Sequence, residues 1–131
     1  VNLDKDGDPP SPLSSSWQNG FMHARPNVFG RFTVMLDTVP PKVTPLNISP
    51  GQDMTNQRMI RFRVSDDLSN IKSYAGYIDS EWVLFEFDPK NDHLFYIFDP
   101  GRICKGKKRE LELYVMDQKD NLTVHTVDFY Y

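Results

Sequence analysis

The sequence predicts an all-β fold, an antiparallel two-sheet sandwich of about seven strands preceded by an N-terminal β extension. Three observations predict it. Short apolar-polar runs recur about ten residues apart after residue 42, and every gap between them holds turn formers. No segment carries the 3.6-residue apolar period of a helix. Aromatic residues make up 13% of the chain, with nine Phe, six Tyr and two Trp, and aromatic side chains favour strands.

The elements follow in chain order. Residues 1–20 read as loop, because Asp, Pro, Gly and Ser dominate and no period is visible. Phe21 to Ala24 reads as a short strand, and Val28 to Leu36 as a longer one with Phe32, Val34 and Leu36 on one face. Pro40-Pro41 then interrupts the chain. Proline fixes φ and has no N–H to give a ladder, so two in a row make a stiff connector. The boundary falls there: residues 1–37 form an N-terminal extension or the end of a preceding β domain, and residues 38–131 form the sandwich.

Val43 to Leu46 begins the sandwich as an edge strand, and a loop with Pro50-Gly51 at its turn follows. Met59 to Val64 alternates cleanly, with Ile60, Phe62 and Val64 inward and Arg61 and Arg63 toward water. Lys72 to Ile78 is the next strand, and Asp79-Ser80 turns it into Trp82 to Phe87. That strand pairs with Leu94 to Phe98 across the turn at Asp88 to Asp92. Arg109 to Met116 places Leu111, Leu113 and Val115 inside. The last strand, Leu122 to Tyr130, changes parity: Leu122, Val124 and Thr126 share one face and Val127 and Phe129 the other. That shift predicts a β-bulge or a crossing between sheets near His125 or Thr126. Strands this short and regular are those of an immunoglobulin-like sandwich, here without the inter-sheet disulfide, since the chain has a single cysteine.

Charge narrows the function classes. Lys plus Arg total 15 against 18 acids, for a net charge of −3, so no global basic field draws the chain to nucleic acid. No apolar run approaches the ~20 residues of a membrane-spanning helix. Residue 1 is Val, which reads as a processed or trimmed end, and the terminal Phe129-Tyr130-Tyr131 suits a natural C-terminus.

The order of several motifs resembles a known family. Phe29-Gly30-Arg31-Phe32-Thr33-Val34-Met35-Leu36-Asp37-Thr38-Val39-Pro40-Pro41 looks like the segment entering the C-terminal immunoglobulin-like domain of bacterial lysostaphin-type zinc endopeptidases, which cut peptide cross-links in peptidoglycan. The likeness continues through Ile60 to Tyr74 and Gly76 to Leu84 and closes with Val115-Met116-Asp117-Gln118-Lys119-Asp120-Asn121. Many such modules carry Gly where Asp120 stands. In those enzymes a His-x3-Asp pair and a His-x-His pair hold zinc, and neither pair occurs in this sequence. The resemblance therefore implies the accessory part of a peptidase, with the catalytic domain encoded upstream as its partner, no cofactor of its own and no catalytic residue. It implies a periplasmic, outer-surface or secreted location.

Read from the residues alone, several candidates for chemistry stand out. Asp4, Asp6 and Asp8 alternate as in the first half of a calcium loop, but Pro9 stands where the loop needs Gly and Ser15 where it needs Glu, so an acidic turn is the simpler reading. Asp66, Asp67, Asp117 and Asp120 read as turn residues first, because Asp bonds its own backbone there. Arg102, Lys105, Lys107, Lys108 and Arg109 crowd one loop and are candidates for an anionic polymer, against the commoner reading of a solvated loop. Trp82, Leu84, Tyr96 and Phe98 are candidates for domain packing or for glycan binding, since both faces of their predicted hairpin carry large apolar residues. The leading expectation is a non-catalytic accessory domain. The alternative is a module that binds cell-wall or dietary glycan through this aromatic hairpin.

Overall fold

The computed structural model describes residues 1–3 and 10–131, and the candidate calcium turn at Asp4, Asp6 and Asp8 lies outside the described residues. Among the described residues the chain is all-β, with eleven strands in three sheets and no helix. None of it forms a helix long and apolar enough to cross a membrane. The chain divides into two compact units, Val1–Thr38 and Val39–Tyr131.

The first unit is built on one hairpin. β1 (Ser15–Gln18) pairs antiparallel with β2 (Phe21–Ala24). Residues 15–18 read as loop in the sequence but are a strand, and the reason is the turn that follows. Asn19 and Gly20 have φ of 51° and 80°, the left-handed pair a tight two-residue hairpin turn requires. Val28 to Leu36 is the opposite case. Its alternation predicts a strand, yet among the described residues it forms an isolated bridge, Phe32 to Asn2, flanked by Leu3 N–H donating to Arg31 O at 2.8 Å and Thr33 N–H donating to Val1 O at 3.1 Å. A strand exists through its partner's hydrogen bonds, and among the described residues only the short segment 1–3 supplies them here.

In the second unit, the four-stranded sheet runs β3 (Lys42–Pro45), β5 (Met59–Ser65), β9 (His93–Ile97), β8 (Glu86–Asp88). The five-stranded sheet runs β4 (Gln52–Asp53), β11 (Leu122–Tyr130), β10 (Lys108–Asp117), β6 (Ile71–Ile78), β7 (Glu81–Val83). All pairs are antiparallel except β4 with β11, which is parallel, so the expectation of a wholly antiparallel fold is corrected at that edge. β4 was hidden in the predicted loop after Pro50, because two residues are too few to show a period.

Both sheets feed one core. Ile60, Phe62 and Val64 of β5 and Leu111, Leu113 and Val115 of β10 are at most 1% exposed. Phe62 lies 6.3 Å from Phe85 and 5.3 Å, edge-on, from the ring of His125 on β11. Phe98 stacks on Tyr131 at 4.0 Å. Aromatic pairs in these geometries add to the burial that drives the fold.

Two strand expectations are corrected. The predicted strand from Trp82 to Phe87 is divided. β7 ends at Val83 and pairs with β6, whereas β8 begins at Glu86 and pairs with β9. The chain passes between sheets at Leu84-Phe85, and Phe85 drops into the core at 3% exposure. Gly76 permits this, because a Cβ there would collide with the Phe85 ring. The last strand has no bulge. β11 keeps unbroken register with β10 from Leu122 to Tyr130. Thr123 and His125 share the inward parity of Val127 and Phe129, and Leu122 and Val124 stand outside at 45% and 48% exposure. Polarity misled the reading, since His125 packs inward as an aromatic ring while two aliphatic residues face out. The register shift lies instead between β10 and β6, where Met116 faces Ser73 but Asp117 faces Ile71.

Candidate functional site

Sheet register brings together outward-facing residues that are distant in sequence. Trp82 lies opposite Tyr77, Tyr77 opposite Glu112, and Glu112 opposite Thr126. In the adjacent outward row Ala75 faces Tyr114, and Tyr114 faces Val124. The rings of Tyr77 and Tyr114 meet edge-to-face at 5.7 Å. Tyr114 Oη–H donates to Glu112 Oε2 at 2.7 Å, and this bond to a carboxylate raises the phenol's pKa. The small side chain of Ala75 leaves a depression of about 260 Å³ bordered by Tyr77, Ser80, Glu112 and Tyr114.

Trp82 also borders a second, larger hollow. A cleft of about 530 Å³ opens beside β7, with the buried Ile78, Val83 and Ile103 among its lining residues. Trp82, Arg102, Arg109, Asp79 and Glu81 complete it. Trp82 is 54% exposed, so much of its indole meets solvent.

The hairpin turn from β6 to β7 holds Arg109 in place. Asp79 and Ser80 have φ of 51° and 66°, the two-residue geometry that the sequence predicts at this turn. Asp79 N–H donates to Glu110 O at 2.9 Å, and Asp79 Oδ1 accepts from Glu110 N–H at 3.0 Å. Asp79 Oδ2 is then free to meet Arg109 Nη1 at 2.7 Å, and Arg109 Nη2 donates to Cys104 O at 2.5 Å. The Arg109 side chain is only 13% exposed. Its Nε is buried and has no acceptor among the described residues. A buried donor left in that condition costs about 1–3 kcal/mol.

The four aromatic-hairpin candidates do not form one surface. Trp82 and Leu84 are exposed, at 54% and 55%, but Tyr96 and Phe98 lie in the core at 4% and 8%. Tyr96 sits 5.8 Å from Phe85 and 5.5 Å from Phe98, and burial pushes its phenol pKa up. The two runs that read as one hairpin belong to different sheets over much of their length, and this separates the pairs. The basic loop divides as well. Arg102 and Arg109 line the cleft. Lys105 stands over the Tyr131 ring at 5.6 Å, and Lys108 pairs with Asp128 at 2.9 Å. Tyr77, Glu112 and Tyr114 escaped the sequence reading. Their outward parity was visible, but only the strand order places β6 between β7 and β10.

The acidic turns serve the backbone. Asp66 Oδ1 accepts from Leu68 N–H at 3.0 Å and Ser69 N–H at 2.6 Å. Asp117 is fully buried. Its Oδ1 accepts from Lys119 N–H at 2.7 Å and Asn121 N–H at 2.9 Å, and its Oδ2 from Asn121 Nδ2 at 2.8 Å. Burial works to raise this carboxyl's pKa, but the bonds from Asn121, Lys119 and Ser69 outweigh it and the net direction is down. Carboxylate oxygens of Asp66 and Asp117 lie within 4.8 Å of each other, and both carboxylates already accept hydrogen bonds from their own turns. Half-buried His125 is held below the ordinary histidine pKa, because its surroundings penalise the charged ring.

Comparison with protein-family models finds none that matches, and comparison with curated proteins finds no match either.

Proposed function

We propose that Val39–Tyr131 is an immunoglobulin-like, non-catalytic accessory domain of a secreted or periplasmic cell-envelope peptidase, which positions or stabilises a catalytic domain encoded upstream. The observation that carries the fold part of this reading is the strand order. The arrangement β3-β5-β9-β8 against β11-β10-β6 corresponds to the four- and three-stranded sheets of an immunoglobulin domain, with β4 and β7 added at the edges of the second sheet. The peptidase part rests on the order of sequence motifs around Pro40-Pro41, Ile60 to Tyr74 and Asp117 to Asn121. The test is to read the gene upstream of Val1, express the whole protein with and without residues 39–131, and follow peptidoglycan cleavage and thermal unfolding. Lower activity or lower stability of the catalytic part on deletion is expected. A whole protein without a His-x3-Asp and His-x-His pair removes the peptidase part of the reading.

A second reading is favoured by one observation, the exposed Trp82 beside a cleft and a row of tyrosines. In this reading the domain binds cell-wall glycan. Co-sedimentation with insoluble peptidoglycan that is lost in Trp82→Ala, with folding retained, is the expected result. Equal sedimentation of the two proteins removes Trp82 from any such role.

A further inference from the structure

We propose that the cleft beside β7 takes a carboxylate-bearing sugar, with the ring against Trp82 and the carboxylate held by Arg102 and Arg109. This rests on the glycan-binding reading and narrows its ligand class.

Three features of the cleft carry the inference. First, its volume of about 530 Å³ falls within the usual range for small-molecule sites, and its lining joins an apolar floor to a few charged groups. Second, Arg109 is positioned in advance. Asp79 and the Cys104 carbonyl hold two of its nitrogens, while the buried Nε has no acceptor among the described residues. Each of the two nitrogens so held, Nη1 and Nη2, keeps a second N–H, and the guanidinium's flat fork matches a carboxylate. Arg109 and the Glu110 amide engage both oxygens of Asp79, which fixes that carboxylate on one side of the guanidinium. Third, Arg102 lines the same cleft, so two guanidinium groups stand there with two acids, Asp79 and Glu81, of which Asp79 is already paired with Arg109.

The Trp82 indole argues for a sugar. Its electron-rich face suits the polarised C–H groups on one face of a pyranose ring. A peptide carboxylate fits less well. A peptide docking here would need to extend the sheet at β7, and β7 offers only three residues of edge, Glu81–Val83.

The test is calorimetric titration of the whole chain with tetragalacturonate, with its neutral methyl ester, and with tetraglutamate. Tetragalacturonate is expected to bind about tenfold or more tighter than its ester, the factor that a charge-assisted hydrogen bond supplies. Arg102→Gln and Arg109→Lys should each remove most of that difference, while Trp82→Ala weakens acid and ester alike. Arg102 is exposed, so its variant keeps the test decisive if Arg109→Lys fails to fold. Equal binding of acid and ester, both sensitive to Trp82→Ala, overturns the carboxylate proposal and leaves the glycan reading standing. No binding of either sugar overturns both. Tetraglutamate binding as tightly as tetragalacturonate overturns the proposal in favour of a peptide ligand.

Discussion

The two units of this chain reach β structure by different routes. Val1–Thr38 owes its hairpin to one turn, Asn19-Gly20, whose backbone favours two antiparallel neighbours whatever their side chains bury. Its large apolar groups stay in solvent: Trp17 is 68% exposed and Phe21 71%. Val39–Tyr131 instead encloses a core in which Phe62, Leu94, Leu111, Leu113 and Phe129 have no exposure at all. A lone two-stranded hairpin is marginal in water, whereas two sheets sharing a core are not. A turn is enough to specify local pairing, but stability depends on what the pairing buries.

That contrast predicts where substitutions cost most. Phe62→Ala, which removes a ring from between the sheets, should destabilise the second unit by about 3–5 kcal/mol, read from hydrogen exchange at the Leu113 and Val127 amides. A loss below 1 kcal/mol, at the scale of a surface site, would break the comparison. Asp117→Ala comes next, at about 2–3 kcal/mol, because two amides and the Asn121 side chain lose their acceptor. The sign of its pH dependence is set by a folded pKa below the ordinary 3.8. Its contribution is complete above the unfolded value and disappears as pH falls toward the folded one, so the wild type should lose this advantage over Asp117→Ala in strong acid.

Gly76→Ala should cost about 1–3 kcal/mol, because the added methyl must displace the buried Phe85 ring. Unchanged stability would mean that the passage between sheets at Leu84-Phe85 tolerates a shifted ring. His125 sharpens the comparison through pH. Its folded pKa lies below 6.5, so the unfolded chain takes up the proton first and stability falls as pH drops below that value. His125→Phe keeps a ring against Phe62 and should flatten this part of the melting-temperature profile. A profile of unchanged slope would assign the acid sensitivity elsewhere. The smallest effect is expected in the first unit, where Phe21→Ala should alter unfolding of Val39–Tyr131 by less than about 0.5 kcal/mol, followed by the same amide exchange.

Individual residues show how far the sequence could be read. Alternation placed Ile60, Phe62, Val64, Leu111, Leu113 and Val115 inside, and the Asp79-Ser80 turn was legible from its residues. The parity of β11 was misread, because hydropathy treats His125 as polar, whereas its ring packs edge-on against Phe62. Val28 to Leu36 has the pattern of a strand, but among the described residues its pairing is an isolated bridge to Asn2. At the candidate site, Trp82 and the two arginines were picked out singly, but their grouping around one cleft was not.

What the sequence determined by itself is local: strand periods, turn residues, the break at Pro40-Pro41, and the charge balance. Each follows from the chemistry of a residue and its near neighbours. The tertiary structure decided which strands are neighbours, where the chain changes sheets, and that Tyr96 and Phe98 enter the core while Trp82 remains outside. It also decided that Arg109 meets Asp79 across thirty residues of chain. Those outcomes depend on long-range pairing, and a period of two assigns a side chain to a face without saying what that face will meet.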